Sequence, residues 1–208
     1  MKVIARRMIR HLALLLAVIL WAAPGLAQSP SAAVPSDVRV VLDTTAGQIV
    51  VAVHLAQAPV TAANFLQYVD RKRFDGVLFY RAVGSADYGF VQGGTQNDPA
   101  RILPPIAHEP TSQTGLTHDD GALSMARYAP GSATGDFFIV LGQMPGMNAN
   151  PQASGDNQGF AVFAHVVEGM DAVRQIVAAP KNATAGEGVM KGQMLEQPVQ
   201  IITARRIP

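Results

Sequence analysis

The chain has 208 residues, 49% hydrophobic and 15% charged, with 16 lysines and arginines against 15 aspartates and glutamates and no cysteine. That balance fits one globular domain with a sizeable core and excludes disulfides, thiol catalysis, a lipid-modified cysteine and thiolate zinc sites. Beyond its first ten residues the chain is mildly acidic, so no electrostatic footprint for nucleic acid or anionic lipid is expected.

Residues 1–27 differ in kind from the rest. Lys2, Arg6, Arg7 and Arg10 precede an apolar stretch from Leu12 to Ala23, which closes on Gly25-Leu26-Ala27. This is the pattern of a secretory signal peptide cut near Ala27, and the uninterrupted apolar run is shorter than the ~20 residues that span a bilayer. A periplasmic or secreted mature chain with no membrane partner after cleavage is therefore expected. Residues 28–36, rich in Pro, Ser and Ala, read as a flexible leader, which leaves 37–208 as the folded domain.

From Val38 to Leu55 β-branched residues dominate, interrupted at Thr45-Ala46-Gly47, which predicts a hairpin. Pro59 and Thr61 then open a helix in which Ala62, Phe65, Leu66 and Val69 recur at helical spacing, ending at Arg71-Lys72-Arg73. Short apolar runs follow at Val77 to Val83, Phe90-Val91, Gly121 to Met125, Phe137 to Leu141 and Phe160 to Val167, separated by segments dense in Gly, Pro, Asn and Asp. These predict short strands of a barrel or sandwich. Met170, Val173 and Val177 share a face of a second helix that Pro180 stops, and a last strand is expected from Val199 to Ala204.

The order of motifs is informative. Phe79-Tyr80-Arg81, Gln92-Gly93-Gly94, Gly121-Ala122-Leu123-Ser124-Met125-Ala126-Arg127, Phe137-Phe138-Ile139 and Val162-Phe163-Ala164-His165-Val166-Val167-Glu168-Gly169-Met170 follow one another, with Pro59 and Asn64-Phe65 upstream. This succession resembles the cyclophilins, and covers nearly the whole mature chain. The resemblance implies a mainly β fold, a closed eight-stranded antiparallel barrel capped by two α-helices, and peptidyl-prolyl cis-trans isomerase activity. A barrel this small is filled by its own side chains, so the substrate groove must lie on the outside.

The resemblance also names a site. It makes Arg81 the donor to the prolyl nitrogen of a twisted amide and Gln92 the residue that anchors the substrate backbone and orients the arginine. It assigns substrate contacts to Phe79, Phe90, Ala126, Arg127, Asp136, Phe138, Met147 and Phe160. Rotation about an X-Pro bond breaks no covalent bond, so neither a metal nor another cofactor is called for; an apolar pocket and well-aimed donors suffice.

The chain departs from the family pattern in places. Tyr80 stands where histidine is common, Arg127 where asparagine is frequent and Asp136 where glutamine is usual, which predicts a more charged groove edge, and Phe160 stands where a histidine is found. The stretch Gly84 to Gly89 is about three residues longer than usual, so Tyr88 and Phe90 compete for one wall of the pocket. No tryptophan accompanies Gly146-Met147.

The partners implied are proline-containing polypeptides, above all unfolded exported proteins, met by a monomeric domain. The main alternative is a non-catalytic proline-peptide-binding module or chaperone with the same fold. A carrier of a small apolar ligand inside a wider barrel fits poorly with short strands and two helices. His54, His108, His118 and His165 lack the pairing of a zinc helix and read as loop or surface residues, while Asp119-Asp120 and Asp156-Asn157 lack calcium-loop spacing.

Overall fold

The computed structural model describes residues 37–85 and 87–208; the signal peptide and leader assigned to 1–36 lie outside the described residues. The first hairpin forms where the break at Thr45-Ala46-Gly47 predicts it. β1 (Val38–Thr44) turns Val40 and Leu42 inward and leaves Arg39 in solvent, and β2 (Gly47–Val53) pairs with it in register from Val38↔Val53 to Thr44↔Gly47.

α1 (Pro59–Asp70) starts on its proline and buries Ala62, Phe65, Leu66 and Val69 against the interior. The residue before it, Ala58, has no side chain with which to cap the exposed N–H groups. A distant carboxylate does so instead: Glu109, itself buried, accepts from Val60 N at 3.1 Å, Thr61 N at 2.7 Å and Thr61 Oγ1 at 2.6 Å. Glu109→Ala removes all three acceptors and is expected to cost about 2–3 kcal/mol in chemical denaturation, with Glu109→Gln losing less. A change within 0.5 kcal/mol, roughly the scatter of an ordinary surface substitution, would show that solvent caps the helix equally well.

The remaining strands are β3 (Leu78–Ser85), β4 (Tyr88–Gly94), β5 (Ala122–Met125), β6 (Phe137–Leu141), β7 (Ala161–Glu168), β8 (Lys181–Asn182) and β9 (Met194–Ile207). Eight run antiparallel in the order β1-β2-β7-β5-β6-β4-β3-β9, and β9 returns to β1, closing the barrel. β8 is a two-residue addition paired outside that ring to β9. The last strand begins earlier and ends later than Val199 to Ala204 because β9 is held in succession by β8, β3 and β1; pairing, not side-chain alternation, extends it.

Phe65, Phe74, Phe79, Phe137 and Phe163 fill the interior together with the inward residues of the eight barrel strands. α3 (Met170–Ala178) adds Val173, Ile176 and Val177 to the same core. A third helix, α2 (Thr111–Thr114), has a single turn between Pro110 and the left-handed Gly115, too short to leave a periodic signal. Among the described residues no helix is long and apolar enough to cross a membrane.

Candidate active site

A second apolar cluster lies on the outer face of β4, β5, β6 and β7. In β6 the alternation sends Phe137, Ile139 and Leu141 inward but Phe138 and Val140 outward, where they meet Phe90, Ala122 and Val162. Met144, Met147 and Phe160 cover this cluster from the loop between β6 and β7. Phe138 contacts Phe90 at a centroid distance of 5.5 Å and Phe160 edge-on at 5.4 Å, giving an aromatic floor. The cleft above it has a volume of about 590 Å³, and Arg81, Gln92, Ala126, Arg127 and Asp136 stand around it.

Backbone geometry explains why Arg81 reaches the cleft. The β3–β4 ladder pairs Phe79 with Gly93 and then Arg81 with Gln92, so Tyr80 is an extra residue at a β-bulge. Phe79 and Ala82 therefore both point into the core, while Tyr80 and Arg81, consecutive in sequence, share the outer face. Phe79 accordingly does not join the substrate contacts expected of it: it is fully buried and packs edge-on against Phe137 at 5.9 Å. Gly93 permits this close fit, because a Cβ there would lie 2.6 Å from Phe79 Cδ1 and 2.8 Å from Leu78 O.

The Arg81 guanidinium is held on two sides. Nη1 donates to Gln92 Oε1 at 2.8 Å, while Nε and Nη2 donate to Gln193 Oε1 at 2.9 and 2.6 Å. Its Cζ lies 5.2 Å from the Phe90 centroid, in cation–π range. Burial lowers its pKa from the usual arginine value, but an arginine remains protonated at any physiological pH. Three of its five N–H groups are thus engaged by glutamines, which leaves two for a ligand. Gln193 went unnoticed in the sequence, where only a Lys-Gly-Gln turn surrounds it; it arrives because Ala82 N pairs with the Gln193 carbonyl at 2.9 Å.

Phe90, not Tyr88, forms the pocket wall. The longer Gly84 to Gly89 stretch is absorbed by extending the β3–β4 hairpin to Ser85↔Tyr88, beyond the cleft, and leaves Tyr88 53% exposed. Met147 and Phe160 line the cleft, and the Phe160 N–H donates to the Met147 carbonyl at 3.0 Å. The Ala126 N–H is already committed to Asp136 O at 2.9 Å, so this residue presents its methyl and carbonyl groups.

The expected charged groove edge is mostly neutralised from within. Arg127 has a side chain only 4% exposed, donates to Asp156 and to the Gly159 carbonyl, and lies over Phe160 at 5.1 Å, tying the β6–β7 loop to β5. Asp136 likewise turns inward, accepting from Tyr80 Oη at 2.8 Å and Gln96 N at 2.7 Å. Burial raises its pKa, partly offset by these hydrogen bonds.

The histidines are more structural than a loop or surface reading predicts. His54 and His165 meet at 3.0 Å between the end of β2 and β7, while His108 Nε2 donates to the Gln158 carbonyl at 3.1 Å on an exposed contact. His118 is buried, bonded to Asn148 Oδ1 at 2.6 Å and Ser124 Oγ at 3.0 Å, and stacks behind Phe138 at 5.9 Å. Among the described residues no group of three His, Cys, Asp or Glu side chains is placed to hold a metal.

Burial pushes the His118 pKa down, and burial together with His54 does the same to His165. A depressed folded pKa contributes stability that is complete above the unfolded value of about 6.5 and is lost as pH falls through the folded value, because the unfolded chain takes up protons the fold refuses. Thermal midpoints measured from about pH 7.5 down to about pH 5 are expected to fall, and to fall less steeply in His165→Asn. A flat wild-type profile would contradict this linkage.

Comparison with known proteins follows the same lines. Residues 39–206 match the family model described as cyclophilin type peptidyl-prolyl cis-trans isomerase/CLD. The chain is 35% identical over 167 residues to a peptidyl-prolyl cis-trans isomerase of Streptomyces antibioticus, covering 79% of this chain and 95% of that one. It is 33% identical over 174 residues to an isomerase of Acinetobacter baylyi, covering 82% and 86%. The fold is similar to that of a Cryptosporidium parvum cyclophilin crystallised in the presence of the dipeptide Ala-Pro, with a TM-score of 0.65, 17% identity and coverage of 82% of this chain and 99% of that one.

Proposed function

Because the chain belongs to the cyclophilin-type peptidyl-prolyl cis-trans isomerase family, we propose that it catalyses X-Pro rotation by aiming the Arg81 guanidinium at the prolyl nitrogen of a peptide whose proline ring rests on Phe138. It is an isomerase, and the family relationship favours the enzyme over a pure binding module. The observation that carries the mechanism is the pairing of an apolar aromatic floor with a guanidinium fixed by two glutamines at its rim.

The uncatalysed rotation has a barrier of about 18–20 kcal/mol because the planar amide delocalises the nitrogen lone pair into the carbonyl. As the bond twists, that lone pair localises on nitrogen and becomes a hydrogen-bond acceptor. A donor held beside it therefore stabilises the twisted state more than the planar one, which is the requirement for acceleration. The floor formed by Phe90, Phe138, Met147 and Phe160 holds the ring by apolar burial, and Gln92 and Gln193 keep the guanidinium from following the substrate. The resemblance noted for Ala126 and Gln92 supports their role along the peptide backbone.

The clients in this reading are proline-containing stretches of unfolded exported proteins, since slow X-Pro isomerisation limits folding and the pattern of residues 1–27 directs the chain to the same compartment. The domain works there as a monomer. N-terminal sequencing of the protein recovered from the periplasm or medium is expected to begin near Gln28; a chain kept whole in the cytoplasm overturns the exported role. For the mechanism, the exchange rate of an X-Pro tetrapeptide is measured with the mature protein and with Arg81→Ala. Acceleration lost in the variant, with peptide binding retained, supports the guanidinium; equal acceleration by both proteins refutes it.

A further inference from the structure

Tyr80 and Asp136 are two separate departures from the family pattern, yet in the folded chain they are one pair. Tyr80 Oη lies 2.8 Å from Asp136 Oδ2 and 2.7 Å from Gln92 Nε2, and Gln92 Oε1 lies 2.8 Å from Arg81 Nη1. Tyr80 and Gln92 are both buried, so water does not readily replace either link.

We infer that Asp136 and Tyr80 are positioning residues for Arg81, acting as a directional relay that fixes which end of the Gln92 amide faces the guanidinium. The inference rests on the reading of Arg81 as the donor to the substrate. Its logic is one of donors and acceptors. Asp136 accepts on both oxygens, on Oδ2 from Tyr80 Oη and on Oδ1 from Gln96 N and Thr95 Oγ1, so the single hydroxyl hydrogen of Tyr80 is committed to it. The tyrosine oxygen can then only accept from Gln92, which turns Gln92 Nε2 toward Tyr80 and Oε1 toward Arg81. Reversing that amide would set N–H groups against a guanidinium that only donates, and a buried donor facing a donor is costly.

The carboxylate is itself fixed. Its other oxygen accepts from Gln96 N at 2.7 Å and Thr95 Oγ1 at 3.3 Å. Space for it exists because Gly94, at φ +133, has no Cβ; one built there would lie 2.6 Å from Asp136 Oδ1. The β-bulge that brings Arg81 to the cleft also brings Tyr80 to the same face, so the relay and the donor share one backbone feature.

The test compares kcat, KM and peptide Kd for wild type, Tyr80→Phe, Asp136→Asn and Arg81→Ala, by exchange spectroscopy on an X-Pro tetrapeptide. Tyr80→Phe keeps the ring and removes only the relaying oxygen. It is expected to lower kcat about tenfold with KM and Kd within about twofold of wild type, because the guanidinium loses its aim while the apolar floor persists. Asp136→Asn, whose amide lets the hydroxyl reverse, is expected to lower kcat about threefold with the same split. If the folded Tyr80→Phe protein keeps kcat within twofold, or loses binding in proportion to rate, the relay is refuted while Arg81 stands. Should that variant not fold, Asp136→Asn decides by the same criterion. Full activity in Arg81→Ala would overturn the underlying reading, and the relay with it.

Discussion

Arg81→Lys is expected to lower kcat/KM for an X-Pro tetrapeptide by about a hundredfold, close to the loss in Arg81→Ala, although the charge is kept. A hundredfold corresponds to about 2.7 kcal/mol, which two lost hydrogen bonds from a charged donor at about 1.5 kcal/mol each would supply. The guanidinium serves three partners at once: Gln92 Oε1 through Nη1, Gln193 Oε1 through Nε and Nη2, and the Phe90 face at 5.2 Å. An ammonium is a compact point charge on a flexible stem; it can satisfy one glutamine and lies either near the substrate or near its anchor, not both. The check is exchange spectroscopy with thermal denaturation alongside, since the substitution is expected to leave the fold intact. A rate within threefold of wild type would mean that charge alone suffices and that the fork geometry has no part in the reaction.

The barrel was legible because its signals are local. The β-branched stretch from Val38 to Leu55 with its break at Thr45-Ala46-Gly47, the apolar Phe137 to Leu141 run and the shared face of Met170, Val173 and Val177 each mark an element, and the structure forms a hairpin, a strand and a helix there. The site was legible through the order of motifs that resembles the cyclophilins, which assigned Phe90 and Phe138; the uniformly apolar β6 does not by itself say which of its rings faces outward. The bulge at Tyr80 breaks the period of two, so Phe79 belongs to the core although Arg81, two residues on, faces the cleft. Polar partners left still less trace. Gln193 reaches Arg81 from the start of β9, Glu109 caps a helix that begins 50 residues earlier, and Tyr80 finds Asp136 across β3 and β6. In each case the residue type is ordinary for its own segment, and its importance arises from a contact between segments distant in sequence that no short window contains. Arg127 and Asp136 show the same effect in reverse: both read as groove-edge charges, and both are turned to internal partners.

Phe138→Ala tests the floor as Arg81→Lys tests the rim, and its expected effect is on both binding and stability. Phe138 is 4% exposed and is the ring on which the outer cluster converges, with Phe90 and Phe160 against it and His118 stacked behind it at 5.9 Å and 11°. Truncation removes the surface on which a proline ring would lie and opens a cavity beside a buried histidine, so about 3–4 kcal/mol of stability should be lost. Binding should weaken more than turnover: KM for the tetrapeptide is expected to rise about thirtyfold and kcat to fall only about threefold, so that kcat/KM falls about a hundredfold, because contact with the ring persists from the planar amide to the twisted one. Phe138→Leu separates the two effects. It refills much of the volume and should recover more than half of the lost stability, yet it lacks the flat face and should recover less of the affinity. If Phe138→Ala remained folded and bound the peptide as wild type does, the proline would have to rest elsewhere in the cleft, and the aromatic cluster would be a packing element alone.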